Sequence, residues 1–144
     1  MTGVWVVAAT VLLVLGFGLY RKAMDGRVAP ATPGGEGSAA LAGLGRPRGE
    51  RATLVQFSSQ FCAPCRTASR LLGELVEQEN GVAHIEIDVA EHTDLATRLG
   101  ISRTPTVLLL DAEGTVRHRI VGAPRKPDAL RALQDILDER RLTS

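Results

Sequence analysis

Cysteine, histidine and aromatic residues are all scarce in this 144-residue chain, which holds two Cys, three His, one Trp, one Tyr and three Phe. Two cysteines are too few for the dense disulfide framework that holds a small secreted domain together. Basic runs are missing as well. From Glu50 to the end there are 12 Lys/Arg against 14 Asp/Glu, so the globular part is mildly acidic. A nucleic-acid face needs clustered cations and stacking rings, and with neither present that class is set aside. Charge is absent altogether from Thr2 to Tyr20, "TGVWVVAATVLLVLGFGLY".

That uncharged stretch is close to the roughly 20 residues a helix needs to cross about 30 Å of hydrocarbon. Trp5 and Tyr20 lie near its ends, where amphipathic rings favour the lipid interface. A cleavable signal would carry basic residues ahead of the apolar core and small residues behind it. Here Arg21, Lys22 and Arg27 follow the span and no cation precedes it, so residues 1–22 read as a single-pass membrane anchor. The same asymmetry places the amino terminus outside and the rest of the chain on the cytoplasmic side of the cell membrane.

Residues 23–50 read as a flexible linker rich in Gly, Pro and Ala, with Val28, Leu41 and Leu44 as its only large aliphatics. A flexible segment of some 24 residues spans roughly 25 to 30 Å r.m.s., enough for a small domain to roam over a membrane. A short helix around Ala39 to Leu44 is compatible with this stretch.

Residues 51–144 read as one domain. Thr53 to Phe57 is a compact strand-like run, and Ala68, Leu71, Leu72, Leu75 and Val76 then recur at helical spacing until Asn80-Gly81. "VAHIEIDV" returns to period two, Thr93 to Leu99 is a short helix, and the wholly apolar "TVLLL" predicts a strand covered on both faces. A turn at Asp111 to Gly114 leads into "TVRHRIV", and a last helix starts near Pro127 and closes with Arg140 and Arg141. The order βαβαββα implies an α/β domain with a mixed central sheet flanked by helices.

Cys62 and Cys65 sit where the first strand gives way to the first helix, in "FSSQFCAPCRTASRLL". Three readings of the pair compete: a redox couple, half a metal site, or core filler. Residues at i and i+3 share a helix face with Cβ atoms about 5 to 6 Å apart, close enough for a disulfide after modest adjustment. Partial positive charge at a helix start stabilises a thiolate on Cys62, lowering its pKa from about 8.5. Cys62 is thus the nucleophile, and Cys65, deeper in the turn, the resolving thiol. Pro64 fits the first turn because no intrahelical donor is lost there. Zinc needs about four ligands. His84 and His92 are the nearby candidates, and neither has ligand spacing.

The chain from about Arg51 to Leu142 resembles the thioredoxin family. "LVQFSSQFCAPCR" is similar to its strand, loop and redox motif, "HIEIDVAEHTDLATRLGISRTPTVLLL" to its middle strand, second helix and cis-proline segment, and "DAEGTVRHRIVGA" to its terminal hairpin. The resemblance implies a thioredoxin fold behind the transmembrane helix, with Thr104-Pro105 in a cis bond facing the cysteines. Phe61, Ala63, Pro64, Thr104, Pro105 and Gly122 would flank the substrate groove. It implies a protein-disulfide oxidoreductase without prosthetic group, taking electrons from an upstream thiol reductase and passing them to protein disulfides. A tethered thiol reductase of exported-protein or cytochrome maturation is the outward-facing alternative, and a non-enzymatic binding module on the same fold is the rival class. Two departures stand out. The family usually has Trp before the first cysteine and Gly-Pro between the pair, where this chain has Phe61 and Ala63-Pro64. Where the family usually holds a buried acid and a lysine that handle the proton, this chain has Gln56 and His84; Gln takes up no proton, so the exchange is expected to be slower or to use water or His84.

Overall fold

The computed structural model describes residues 1–30 and 41–143. A 23-residue helix, α1 (Thr2–Met24), leads into a short strand, β1 (Arg27–Pro30). Then follow β2 (Ala52–Ser58), α2 (Ala63–Glu77), β3 (Val82–Asp88), α3 (Thr93–Arg98), β4 (Thr106–Asp111), β5 (Val116–Val121) and α4 (Lys126–Thr143). From β2 onward the elements fall within one or two residues of the sequence expectations. The apolar periods there are long enough to identify each element from its neighbours alone.

The five strands form one mixed sheet in the order β1-β5-β4-β2-β3. β2 and β3 run parallel, while β4 is antiparallel to β2, β5 to β4 and β1 to β5. The "TVLLL" run is buried along its length, as expected of a strand with both faces covered. On one face α2 and α4 pack through Leu72, Leu75, Leu133, Ile136 and Leu137 over Leu54, Val107 and Ile120. On the other, Leu95 of α3 and its C-cap Leu99 lie against Val55, Phe57, Ile85, Ile87 and Leu108.

The linker reading needs correction. Arg27–Pro30 is an edge strand, with Arg27 paired to Val121 and Pro30 to His118. Pro30 ends a strand at the sheet margin, where its missing N–H costs no ladder bond that an inner strand would need. Val28 packs on the first core cluster, Leu41 is 7% exposed within the second, and Leu44 packs against it. All three large aliphatics of the supposed tether are therefore used in the domain. β1 and β2 belong to one sheet, so the domain begins at β1. Leu41 and Ala42 form a helical turn, whereas Ala39 and Ala40 lie outside the described residues.

α1 is exposed along its whole length, with no residue packed into the domain. It is apolar and long enough to cross a membrane, with a mean hydropathy of 2.2 over its most apolar window.

Candidate redox site

β2, an inner strand between β4 and β3, carries the site, and its carboxyl end delivers Ser59, Gln60 and Phe61 to the start of α2. Cys62 is the N-cap of α2 in extended backbone conformation, and its Sγ accepts the Cys65 N–H at 3.2 Å. This occupies one of the four donors a helix start leaves unpaired. Cys62 and Cys65 are joined as a disulfide with their Cα atoms 5.2 Å apart. Their burial is unequal. Cys62 is half-buried, whereas Cys65 is 2% exposed under the first turn. A second molecule can approach one sulfur and not the other.

The surroundings of the pair are apolar and open. Ala63 and Pro64 are exposed, and Phe61 is 98% exposed. Beyond residues 1–24, Phe61 and Leu142 are the fully exposed large apolar side chains among the described residues.

Thr104-Pro105 is cis. The Ser59 and Thr104 hydroxyls are 3.4 Å apart, and the Cys62 N–H donates to the Ser59 carbonyl at 3.2 Å, so the proline loop lies against the redox loop. Gly122, at φ +88°, donates its N–H to the Pro105 carbonyl at 2.8 Å. It does not line an open groove, however. Gly122 is buried beneath Asp25, and a Cβ there would stand 3.2 Å from the Asp25 side chain.

Beneath the disulfide lies a polar column between β2, β3 and α2. Gln56 is 0% exposed, and its Nε2 donates to the Cys65 carbonyl at 2.9 Å. That bond turns Oε1 toward His84, whose Nε2 lies 3.1 Å away and must carry the hydrogen. Gln56 therefore clamps the backbone of the second cysteine to β3, and His84 Nε2 is occupied by the clamp. Among the described residues no titratable side chain is hydrogen-bonded to either sulfur. Glu86, two residues beyond His84 on the same strand face, accepts from Ser58 Oγ at 2.8 Å and from Ser69 Oγ at 2.9 Å. Sequence reasoning missed Glu86, although period two along β3 puts it in line with His84. It also missed Asp25 and Arg103, for which 78 residues of separation leave no local signal. His92, weighed as a ligand, occupies the N-cap position of α3 without a side-chain capping bond, and the described residues contain no cluster of three or more His, Cys, Asp or Glu fit for a metal.

Burial lowers the His84 pKa below its ordinary 6.5, with the neighbouring Glu86 charge pulling the other way. The unfolded chain then takes up a proton near pH 6.5 that the folded one refuses. This contribution to stability is complete above about pH 6.5 and is lost as pH falls through the depressed folded value. The thermal midpoint is expected to fall between pH 7 and pH 5, and His84→Gln to flatten part of that fall. One site adds a slope of at most about 1.4 kcal/mol per pH unit. An unchanged profile in the variant would show that His84 titrates alike in both states.

A family model described as Thioredoxin matches residues 47–135. The chain is 35% identical over 74 residues to the mitochondrial thioredoxin of Mus musculus, covering 51% of this chain and 44% of that protein. It is 33% identical over 85 residues to a bifunctional thioredoxin reductase/thioredoxin of Mycobacterium leprae, covering 58% of this chain and 18% of that one. The chain thus spans less than half the length of these relatives. Among solved structures, a thioredoxin from Nicotiana alata superposes with a TM-score of 0.53 at 28% identity, covering 60% of this chain and 73% of that one. Mitochondrial thioredoxin 3 from Saccharomyces cerevisiae, in its oxidised form, superposes with a TM-score of 0.54 at 23% identity, covering 60% and 79%. The matched region holds the strand, the two-cysteine turn, the cis-proline loop and the closing hairpin in one continuous fold, and on that ground this chain belongs to the thioredoxin family.

Proposed function

We propose that this protein is a membrane-tethered thiol:disulfide oxidoreductase that reduces disulfides of other proteins. The observation that carries the reading is the asymmetric Cys62–Cys65 pair, with an accessible sulfur at a helix N-cap and a buried partner three residues on. In the reduced protein the Cys62 thiolate attacks a substrate disulfide, a mixed disulfide forms, and one substrate thiolate leaves. Cys65 then attacks Cys62, closing the intramolecular disulfide and releasing the second thiolate. Exposed Phe61, Ala63 and Pro64 provide the contact face for the substrate chain.

Gln56 holds the Cys65 backbone but takes up no proton, so water receives the proton that Cys65 gives up. Electrons come from an upstream thiol reductase, a reading supported by the likeness to a protein named as a bifunctional thioredoxin reductase/thioredoxin. The uncharged stretch from Thr2 to Tyr20, followed by Arg21 and Lys22 in the last turn of α1 and by Arg27, supports a single-pass anchor with the domain on the cytoplasmic side.

The test is the equilibrium reduction potential of the full chain in mild detergent, poised in glutathione or dithiothreitol buffers and read by thiol alkylation. A value near about −270 mV is expected for a reductase in a reducing compartment. A value much less negative would move the domain to an oxidising compartment, in the role of an oxidant or isomerase. Failure to interconvert Cys62 and Cys65 between thiol and disulfide would leave only a binding module on this fold.

A further inference from the structure

The junction between α1 and the sheet lies at the redox end of the domain. One row of paired residues crosses the sheet there: Arg27 with Val121, Val121 with Thr106, Thr106 with Phe57, and Phe57 with Ile87. Neighbouring strands stand about 4.8 Å apart, so Arg27 is roughly 14 Å from Phe57, the residue from which the chain turns toward Cys62.

Only Asp25 and Gly26 separate α1 from β1, and both are held. The Asp25 N–H donates to the Arg21 carbonyl at 3.1 Å and the Gly26 N–H to the Val121 carbonyl at 2.9 Å. Arg103, the residue before Thr104, donates to Asp25 Oδ1 at 2.6 Å. Arg125 donates to the Lys22 carbonyl at 3.2 Å, so the domain itself satisfies one of the acceptors that the end of α1 leaves open. The Asp25–Arg103 pair is half-exposed on both sides, at 36% and 40%, and is a minor part of the hold. The stronger restraint is the β1–β5 ladder with Val28 packed beneath it.

From this geometry we infer that α1 and β1 form a short stalk that holds the Cys62–Cys65 end of the domain close to the bilayer, so that its exchange partner is a disulfide in a membrane protein. That disulfide lies within about 25 Å of the bilayer surface, a bound set by the strand spacings and the few residues between Tyr20 and β1. The inference rests on the membrane reading above. The exchange is a balanced two-electron transfer: the two thiols of Cys62 and Cys65 become one disulfide, the partner's disulfide becomes two thiols, and the two protons reach the partner's thiolates by way of water. Confinement to one surface raises the effective concentration of such a partner where the geometry matches and forfeits the gain where it does not.

The test uses the reduced full chain in phosphatidylcholine vesicles with one disulfide peptide in three forms: soluble, lipid-anchored on a spacer of about 10 Å, and lipid-anchored on one of about 60 Å. The native chain is expected to reduce the short-spacer peptide about tenfold faster than the long-spacer one. Inserting about twelve Gly/Ser residues between Met24 and Asp25 adds roughly 20 Å of r.m.s. reach and is expected to bring the two rates within about twofold. Its rate with the soluble peptide should match that of the native chain, showing that the fold and the chemistry survive the insertion. Equal rates on both spacers for the native chain would overturn the stalk alone. A chain that does not float with the vesicles would overturn the membrane reading and the stalk with it, and no reduction of the soluble peptide would overturn the oxidoreductase reading.

Discussion

A Cys65→Ser variant is expected to accumulate as a covalent mixed disulfide through Cys62 when mixed with a disulfide-bearing protein, while Cys62→Ser forms none. Both variants should lose more than about a thousandfold in catalytic disulfide reduction, since nucleophile and resolving thiol act as one unit. The distinction between them follows from burial. Cys62 is half-buried at the mouth of α2, whereas Cys65 is 2% exposed beneath the first turn. With Cys65 gone, the attack on the substrate proceeds but nothing within the protein releases the product. Non-reducing electrophoresis followed by mass spectrometry of the trapped species reads the outcome. Equal trapping by both variants would contradict the assigned roles, and partner binding that survives Cys62→Ser at full strength would favour the binding module.

Phe57→Ala is expected to cost about 3 to 5 kcal/mol of stability, the usual range for deleting a buried ring. Phe57 is 0% exposed on the inner strand β2, in one cluster with Ile85, Leu95 and Leu108, so the cavity would open between β2, β3, β4 and α3. Typical domains are stable by only about 5 to 15 kcal/mol, so the loss is a large fraction of the whole. The sole tryptophan, Trp5, is in α1 and reports nothing of the domain. Far-UV circular dichroism during urea unfolding of the full chain in mild detergent is therefore the measurement. The midpoint should fall at nearly constant slope. A shift worth less than about 1 kcal/mol would mean that the cluster closes over the gap, contrary to its packing. Because Phe57 stands five residues before Cys62, the variant should also exchange disulfides more slowly.

Much of the redox site was legible because its signals are local. The cysteine spacing, the proline in the first turn and the strand before it all act over a few residues. Gly81 marks the turn from α2 into β3 for the same reason, its φ of +79° being one that glycine adopts without strain. The role of Gln56 was only half legible. Its replacement of an acid can be read from the chain, but not that it would bridge the Cys65 carbonyl and His84, because that bridge needs β3 and α2 in place.

Periodicity thus determined the seven elements from β2 to α4 and the position of the cysteines at a strand-to-helix turn. These depend on neighbours two to four residues away, and every such neighbour is written in the chain. Three features were decided only by the tertiary structure. Arg27–Pro30 is a strand because β5, some ninety residues on, offers it an edge. A register shift opposite Leu109 and Leu110 leaves Arg117 as the extra residue, so that Val116 joins the cluster against α3 while Ile120 joins the one under α2 and α4. Asp25 reaches Arg103 and covers Gly122 because the sheet brings three distant segments to one end. Each of these is set by pairing energies between residues far apart in the chain, to which local pattern carries no information.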